Sequence, residues 1–400
     1  MSEPRVIELV EYQTKSLAQE ELDAAMGERI WREFGKQVQV EFPSPKTDYR
    51  WLLTNQGWAG YLPVSSDVGV LLSPKVSLTN LFRMLAYAYN LKQLRFFNDL
   101  VELASLQDAY EQLAQLLAQR VLDRTRRGLY RTYRQEYRRL PYVRGRIDMV
   151  ATLREPWRAD LPCHYQIHTA DVEENQILFW TLERIIRSGI CREHALRTVR
   201  KAHRELQGSV SPIPFSGQQV AGRNYTRLNE DYATPHALCR FFLEQSGPTH
   251  QLGDRKMIPF VVDMARLFER FVAAWLKENL PEHLTLTAQE SLKLGEIKNV
   301  EFRIDLVIRD RATRQAGCVA DTKYKDSGHI AADDVAQVVA YATVEATDQA
   351  FLIYPEDVKS RLDVQLDNMR VRALGFPLVG DLQIHGEALL QHLIEAQIHA

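Results

Sequence analysis

Long apolar runs are missing from this 400-residue chain. None approaches the roughly 20 consecutive apolar residues that cross a bilayer, so the sequence offers no candidate membrane helix. The opening MSEPRVIELVEY lacks the charged and apolar regions of a signal peptide, which makes the cytoplasm the expected location. Cysteine is scarce: Cys163, Cys191, Cys239 and Cys318 form no C-x-x-C pair, so reduced thiols and no structural zinc are expected. No G-x-x-x-x-G-K-[ST] loop occurs, and nucleotide hydrolysis by this chain alone is not expected. Nor is there a basic excess. The formal net charge is −2, so a nucleic-acid partner would have to be met by a local patch. Glycine and proline are too few for a long disordered tract, and no low-complexity segment appears.

What is present is an ordinary soluble composition, 45% apolar and 26% charged, in a chain longer than one hydrophobic core serves. Three parts are expected: a mixed β/α region over 1–160, a mostly helical region over 161–255, and a third domain over 256–400. In the first part RVIELVEY reads as a strand and SLAQEELDAAMGERIWREF as a helix capped by Ser16. WLLTNQGWAGYLPV and VGVLLSPKV read as two strands, and amphipathic helices are predicted from Ser77 and over 101–124. Residues 120–146 hold ten arginines against Asp123 and Glu136, a local excess of eight positive charges, interleaved with Tyr130, Tyr133, Tyr137 and Tyr142. Arg126, Arg127, Arg131, Arg134, Arg138 and Arg139 are therefore candidates to pair with phosphate, or to form a surface for a protein partner. The connector GSVSPIPFSGQQVAGRN at 208–224 reads as a boundary or an exposed loop. MIPFVVDMARLFERFVAAWLKENL then reads as one long helix, with Val261, Met264, Leu267, Phe268, Phe271 and Trp275 on its apolar side and an end near Pro281.

Beyond that helix the order is EFRIDLVIRD, GCVADTKYK, AADDVAQVVAYATVE, QAFLIYP: strand, strand, helix, strand. The two strands either side of RDRATRQAG are expected to pair as a hairpin. Side chains alternate along a strand, so Asp321 and Lys323 project to one face. Asp305 stands among residues suited to burial, where a carboxylate needs a partner or a metal. Asp305 and Asp321 are thus candidates to hold one divalent cation, with Lys323 beside them. Phosphodiester hydrolysis uses this equipment: hard oxygen ligands for Mg²⁺, a metal that polarises phosphate and activates water, and a cation facing the growing charge. Glu269, on the long helix beside its apolar stripe, is a candidate to lean toward the metal or to be an ordinary surface acid. Gln337 and Tyr341 lie one turn apart on a helix face and are candidates to touch a DNA backbone or to steady the lysine.

RID, DTK and QVVAY, with FERFV upstream, resemble the PD-(D/E)xK nuclease superfamily in the subgroup with a Q-x-x-x-Y helix, as in RecB-type domains. Ile304 stands where the superfamily name has proline. GWAGYLPV, LLSPKVSLTNLFRMLAYAYNL, GLYRTYRQEYRRLPYVRGRID and DVEENQILFWTLERI resemble, in that order, the McrC family, the nuclease subunit of McrBC-type modification-dependent restriction systems. The resemblance spans about residues 50–355. RGRID at 144–148 and D-x-x-x-N from Asp171 to Asn175 are its more specific marks outside the nuclease motif. It implies an α+β N-terminal interaction region followed by an α/β restriction-endonuclease-like domain, whose mixed central sheet is flanked by helices. Asp305, Asp321 and Glu269 would hold Mg²⁺, with Mn²⁺ as a substitute. The partners implied are a McrB-like AAA+ GTPase hexamer and double-stranded DNA carrying modified bases. Arg144 and Arg146 are expected to hold neighbouring carboxylates such as Asp148. Two rival readings remain: an adaptor with an idle nuclease fold that only activates the AAA+ ring, and a self-sufficient Q-x-x-x-Y exonuclease.

Overall fold

The computed structural model describes residues 5–65, 68–91, 106–245, 250–252, 255–257, 260–293, 301–325, 327–328, 330–359 and 362–398. Residues 101–105 of the helix expected over 101–124 lie outside them. The chain divides into two compact units, one made of residues 1–106 and 260–400, the other of 107–259. This differs from the expected three parts. The boundary expected at 160/161 would separate the strand Leu161–Thr169 from its antiparallel partner Thr132–Leu140, and so cut through a sheet.

In the first unit a four-stranded sheet runs in the order Arg5–Val10, Val68–Ser73, Trp58–Pro63, Phe260–Asp263. A three-stranded sheet of Thr14–Leu17, Trp51–Asn55 and Val38–Glu41 lies beside it, and both share a core of Ile7, Leu9, Leu53, Leu62, Val70 and Leu72 with Ile30 and Phe34 of the helix Ala24–Phe34. That helix begins later than expected: Ser16 sits in a strand, and Asp23 is the N-cap, its side chain accepting from the Met26 amide. WLLTNQGWAGYLPV holds two strands because buried Asn55 turns the chain, accepting from the Trp58 amide at 2.9 Å and donating to the Leu9 and Trp58 carbonyls. The helix expected from Ser77 runs over Leu78–Ala88, and the Ser77 side chain caps it by accepting from the Asn80 amide.

The expected long helix over MIPFVVDMARLF begins only at Met264. Phe260–Asp263 is a strand, antiparallel to Trp58–Pro63, and Val261 belongs to the N-terminal core. Consecutive β-branched valines suit a pleat, and the Asp263 side chain then caps the helix Met264–Asn279 by accepting from the Arg266 amide. Gly60 lies on this seam with φ +141°, and a Cβ there would stand 2.1 Å from the Phe260 carbonyl oxygen. Gly60→Ala is therefore expected to cost at least about 2 kcal/mol in urea unfolding, against well under 1 kcal/mol for an unstrained strand glycine.

The larger sheet has six strands, in the order Leu284–Lys293, Glu301–Asp310, Ala316–Thr322, Gln349–Tyr354, Met369–Gly375, Asp363–Leu366. Glu301–Asp310 and Ala316–Thr322 form the expected antiparallel hairpin, whereas Ala316–Thr322, Gln349–Tyr354 and Met369–Gly375 run parallel. A parallel neighbour needs a crossover, and the helix Ala332–Val344 supplies it, burying Val338, Tyr341 and Ala342 against Val307, Val319 and Leu352. The helices Met264–Asn279 and Leu382–Ile398 pack together closely enough that a Cβ on Gly386 would meet the Trp275 ring at 2.4 Å.

In the second unit the helices Leu106–Arg127, Glu173–Ser188, Glu193–Leu206 and Ala233–Gln245 accompany a sheet ordered Thr132–Leu140, Leu161–Thr169, Arg146–Ile147. The Arg/Tyr run is thus divided: its first arginines end a helix, Gly128 turns the chain at φ +96°, Arg131 precedes the strand Thr132–Leu140 that carries Arg134, Arg138 and Arg139, and Arg144 and Arg146 lie in the loop after it and on the short strand Arg146–Ile147. The 208–224 connector is a loop with a short helix, Gly217–Val220, inside this unit. Among the described residues no helix is long and apolar enough to cross a membrane, and all four cysteines are free and buried.

Candidate active site

The register that pairs Leu306 with Ala320 continues to set Asp305 opposite Asp321 on the same face of the hairpin. The two carboxyl groups meet there. Asp305 Oδ2 also accepts from the Thr322 amide and hydroxyl, each at 3.0 Å, which fixes its rotamer at the end of the neighbouring strand. Asp321 is 2% exposed. Burial, and then the charge of Asp305, raises its carboxyl to about 6.

Lys323 follows the last strand residue, and its amide still donates to the Ile353 carbonyl at 2.8 Å, so the backbone stays registered on the parallel strand. Its ammonium lies 2.6 Å from Asp321 Oδ2 and donates to Gln337 Oε1 at 2.9 Å. The Gln337 amide in turn donates to the Tyr341 hydroxyl at 2.5 Å. Burial works against the charge on Lys323, but the hydrogen bond and charge of Asp321 outweigh it and leave the pKa raised. Gln337 thus bridges the Lys323 ammonium and the Tyr341 hydroxyl. Glu269 stands on the helix Met264–Asn279, half-buried, and its carboxyl is raised to about 7 by burial and then by the charge of Asp305.

Six residues singled out in the sequence therefore fall in one neighbourhood, carried by two strands and two helices. Among the described residues, however, no three His, Cys, Asp or Glu side chains are grouped closely enough to hold a metal ion by themselves. The protein presents Asp305 and Asp321 as a pair, with Glu269 beyond Asp305. Paired carboxylates suit a hard dication that takes its remaining positions from water and substrate phosphate, which is the usual habit of Mg²⁺. Among the described residues Asp321 Oδ2 accepts no hydrogen bond, and the Lys323 ammonium 2.6 Å away is its ion-pair partner.

Two participants escaped the sequence reading. Asp334, in the first turn of the Gln337 helix, is 8% exposed and places Oδ1 3.6 Å from Lys323 Nζ, while Oδ2 is ion-paired with Lys325. It stands three residues before Gln337, so i,i+3 spacing was the available signal. Glu11, fully buried, accepts from the Tyr324 hydroxyl at 3.2 Å and the Lys75 amide at 3.0 Å, which ties the N-terminal sheet to the residue following the lysine. Nothing in a single sequence points across those three hundred residues.

The motifs of the second unit are framework. Asn175 donates to the Tyr130 and Ala170 carbonyls and accepts from the Tyr232 hydroxyl at 2.6 Å. Asp171 accepts from Gln176 and from the amide and hydroxyl of Ser211, each at 2.8 Å. Arg144 lies over the Tyr165 ring at 4.3 Å, and Asp148 caps the helix Met149–Arg154, so neither Arg144 nor Arg146 holds Asp148 as expected. Of the candidate arginines, Arg126 pairs with Asp123, Arg134 and Arg138 with Glu136, and Arg139 with Glu155 and Asp160. Arg127 donates to the Asp123 carbonyl, and Arg131 is exposed.

The family model described as the McrBC 5-methylcytosine restriction system component matches residues 53–355. The chain belongs to this family. A McrBC-family relative from Escherichia coli K12, the type IV methyl-directed restriction enzyme EcoKMcrBC, is 22% identical over 264 residues, 64% of this chain and 75% of that one. The fold is also similar to a chain in the half-complex from a tetradecameric assembly of Thermococcus gammatolerans McrB AAA+ hexamers with bound McrC. The TM-score there is 0.55 at 18% identity, covering 97% of this chain and 100% of that one. McrBC membership matches the likeness read from GWAGYLPV, LLSPKVSLTNLFRMLAYAYNL, GLYRTYRQEYRRLPYVRGRID and DVEENQILFWTLERI. The family match ends at residue 355, one residue past the Gln349–Tyr354 strand, and so spans the whole carboxylate–lysine neighbourhood.

Proposed function

We propose that this chain is the DNA-cutting subunit of a McrBC-like type IV restriction complex, a Mg²⁺-dependent endonuclease on a PD-(D/E)xK fold that docks on and stimulates an AAA+ GTPase partner. The observation that carries the reading is the opposition of Asp305 and Asp321 with Lys323 held between Asp321 and Gln337. Two carboxylates facing each other below the surface repel; Thr322 bonds Asp305 and Lys323 pairs with Asp321, yet burial and the charge of Asp305 still leave the Asp321 carboxyl raised, so a bound cation suits the pair. Asp305 and Asp321 would hold Mg²⁺, or Mn²⁺ in its place, and Glu269, beyond Asp305, would add to that ligand set. The metal, when bound, lowers the pKa of water and polarises the phosphate. Thr322 keeps Asp305 turned inward, Lys323 offers its ammonium to the phosphate oxygens as negative charge grows, and Gln337 and Tyr341 keep that ammonium from swinging into solvent.

The docking half of the reading draws on the second unit. Its strand Thr132–Leu140 exposes Tyr133 and Tyr137 on one face, Arg131 just before the strand is exposed, and the segment after it exposes Leu153 and Trp157, the last 78% exposed. An aromatic and arginine surface of this kind suits a protein partner. The test is DNA cleavage by the full chain with its cognate McrB-like GTPase and GTP. Methylated DNA should be cut with Mg²⁺ and left intact with EDTA, while stimulation of GTP hydrolysis is read separately. Stimulation without any cleavage in Mg²⁺ or Mn²⁺ would leave only an adaptor, and cleavage without partner or GTP would point to a self-sufficient nuclease.

A further inference from the structure

We infer that Asp334 is a positioning residue for Lys323, the carboxylate that keeps the ammonium aimed once Asp321 is engaged by a cation; the inference rests on the nuclease reading above. Lys323 Nζ meets three acceptors: Asp321 at 2.6 Å, Gln337 at 2.9 Å and Asp334 at 3.6 Å. The first of these is also a proposed cation ligand, and an oxygen facing a dication no longer serves an ammonium well, because the two positive charges compete for it. Gln337 is neutral. Among the described residues Asp334 is then the remaining negative charge in contact with Lys323.

Its placement fits that task. Asp334 sits one turn before Gln337 on the same helix face, so one rigid element delivers both second-line acceptors to the ammonium. The side chain is 12% exposed, which limits screening by solvent. Its other oxygen is ion-paired with Lys325, two residues beyond Lys323, so Oδ1 is the oxygen left for the ammonium. Asp334 thus acts through Lys323 and does not itself face the phosphate.

A purely structural role, tying Lys325 to the helix, is the competing explanation, and the two make different predictions. In the full chain with its GTPase partner, Asp334→Asn should lower kcat for DNA cleavage roughly 10- to 100-fold with KM for DNA unchanged, the range seen when a group behind a metal ligand is removed. Asp334→Glu should recover part of it. Lys325→Met, which breaks only the tether, should stay within about twofold of the parent. A second readout needs no turnover: with Asp334 neutralised, Lys323 falls back on Asp321, so Mn²⁺ binding to the full chain by calorimetry should weaken about tenfold, and Lys323→Ala added to Asp334→Asn should restore it. Unchanged kcat and Mn²⁺ affinity in Asp334→Asn, or an equal loss in Lys325→Met, overturns the inference. Asp321→Asn run alongside separates the two levels: if it still cuts and binds Mn²⁺, the nuclease site itself is misplaced.

Discussion

Asp321→Asn is expected to abolish DNA cleavage, by about a thousandfold or more, and at the same time to raise the melting temperature of the metal-free protein. The first effect follows from removing half of the carboxylate pair. A cation's contribution to stabilising transition-state charge is several kcal/mol, and each 1.4 kcal/mol is tenfold in rate, so about 4 kcal/mol corresponds to the stated loss. The second follows from linkage. Burial and Asp305 raise the Asp321 carboxyl to about 6, whereas the unfolded chain titrates near 4, so between those values the native state binds more protons than the unfolded one. Stability from this group is present at low pH and is lost as the pH rises through about 6. At pH 8 the ionised carboxylate costs the fold about 3 kcal/mol, which the amide avoids. Parent and variant should therefore melt apart at pH 8 and together at pH 4 without metal. A variant that loses cleavage and stability together would indicate a structural carboxylate instead.

That opposition of stability and chemistry explains why this part of the chain was readable. The RID and DTK segments violate the ordinary rule for a buried strand, since Ile304, Leu306, Val319 and Ala320 are core residues while Asp305 and Asp321 interrupt them. Alternation along the strand put Asp321 with Lys323, and helical spacing put Gln337 with Tyr341; both periodicities are local, and both hold. Local pattern fails where pairing is distant. FVVDMARLF has apolar spacing compatible with a helix throughout, but strand pairing with Trp58–Pro63, two hundred residues earlier, recruits its first part to the N-terminal sheet. The arginine run looked continuous because composition ignores the break that Gly128 makes. Asp334 was hidden by its surroundings: in AADDVAQVVAYA two adjacent acids at a helix start are sufficiently explained by the helix dipole, and only the fold shows that one of them turns inward to a lysine.

Affinity for a divalent cation is expected to rise steeply with pH and then level off. Glu269, raised to about 7 by burial and then by Asp305, and Asp321, raised to about 6, carry protons in part of the metal-free protein at mildly acidic pH. A carboxylic acid does not serve a dication, so binding must expel those protons, and the apparent association constant gains about tenfold per pH unit for each proton released. Below about pH 6 both groups hold protons and the slope approaches two; between about 6 and 7 Glu269 alone contributes, and above about 8 the affinity is flat. Mn²⁺ titrations by calorimetry, repeated in buffers of different ionisation enthalpy, count the protons directly. Asp305→Asn removes the charge that contributes to raising both groups, so the weakened binding that remains should depend less on pH. A proton count of zero at pH 6 would mean that neither Asp321 nor Glu269 meets the cation. A count that Glu269→Gln lowers by one would place Glu269 among the groups that respond to it, on the metal side of the helix Met264–Asn279 and not on the outer surface.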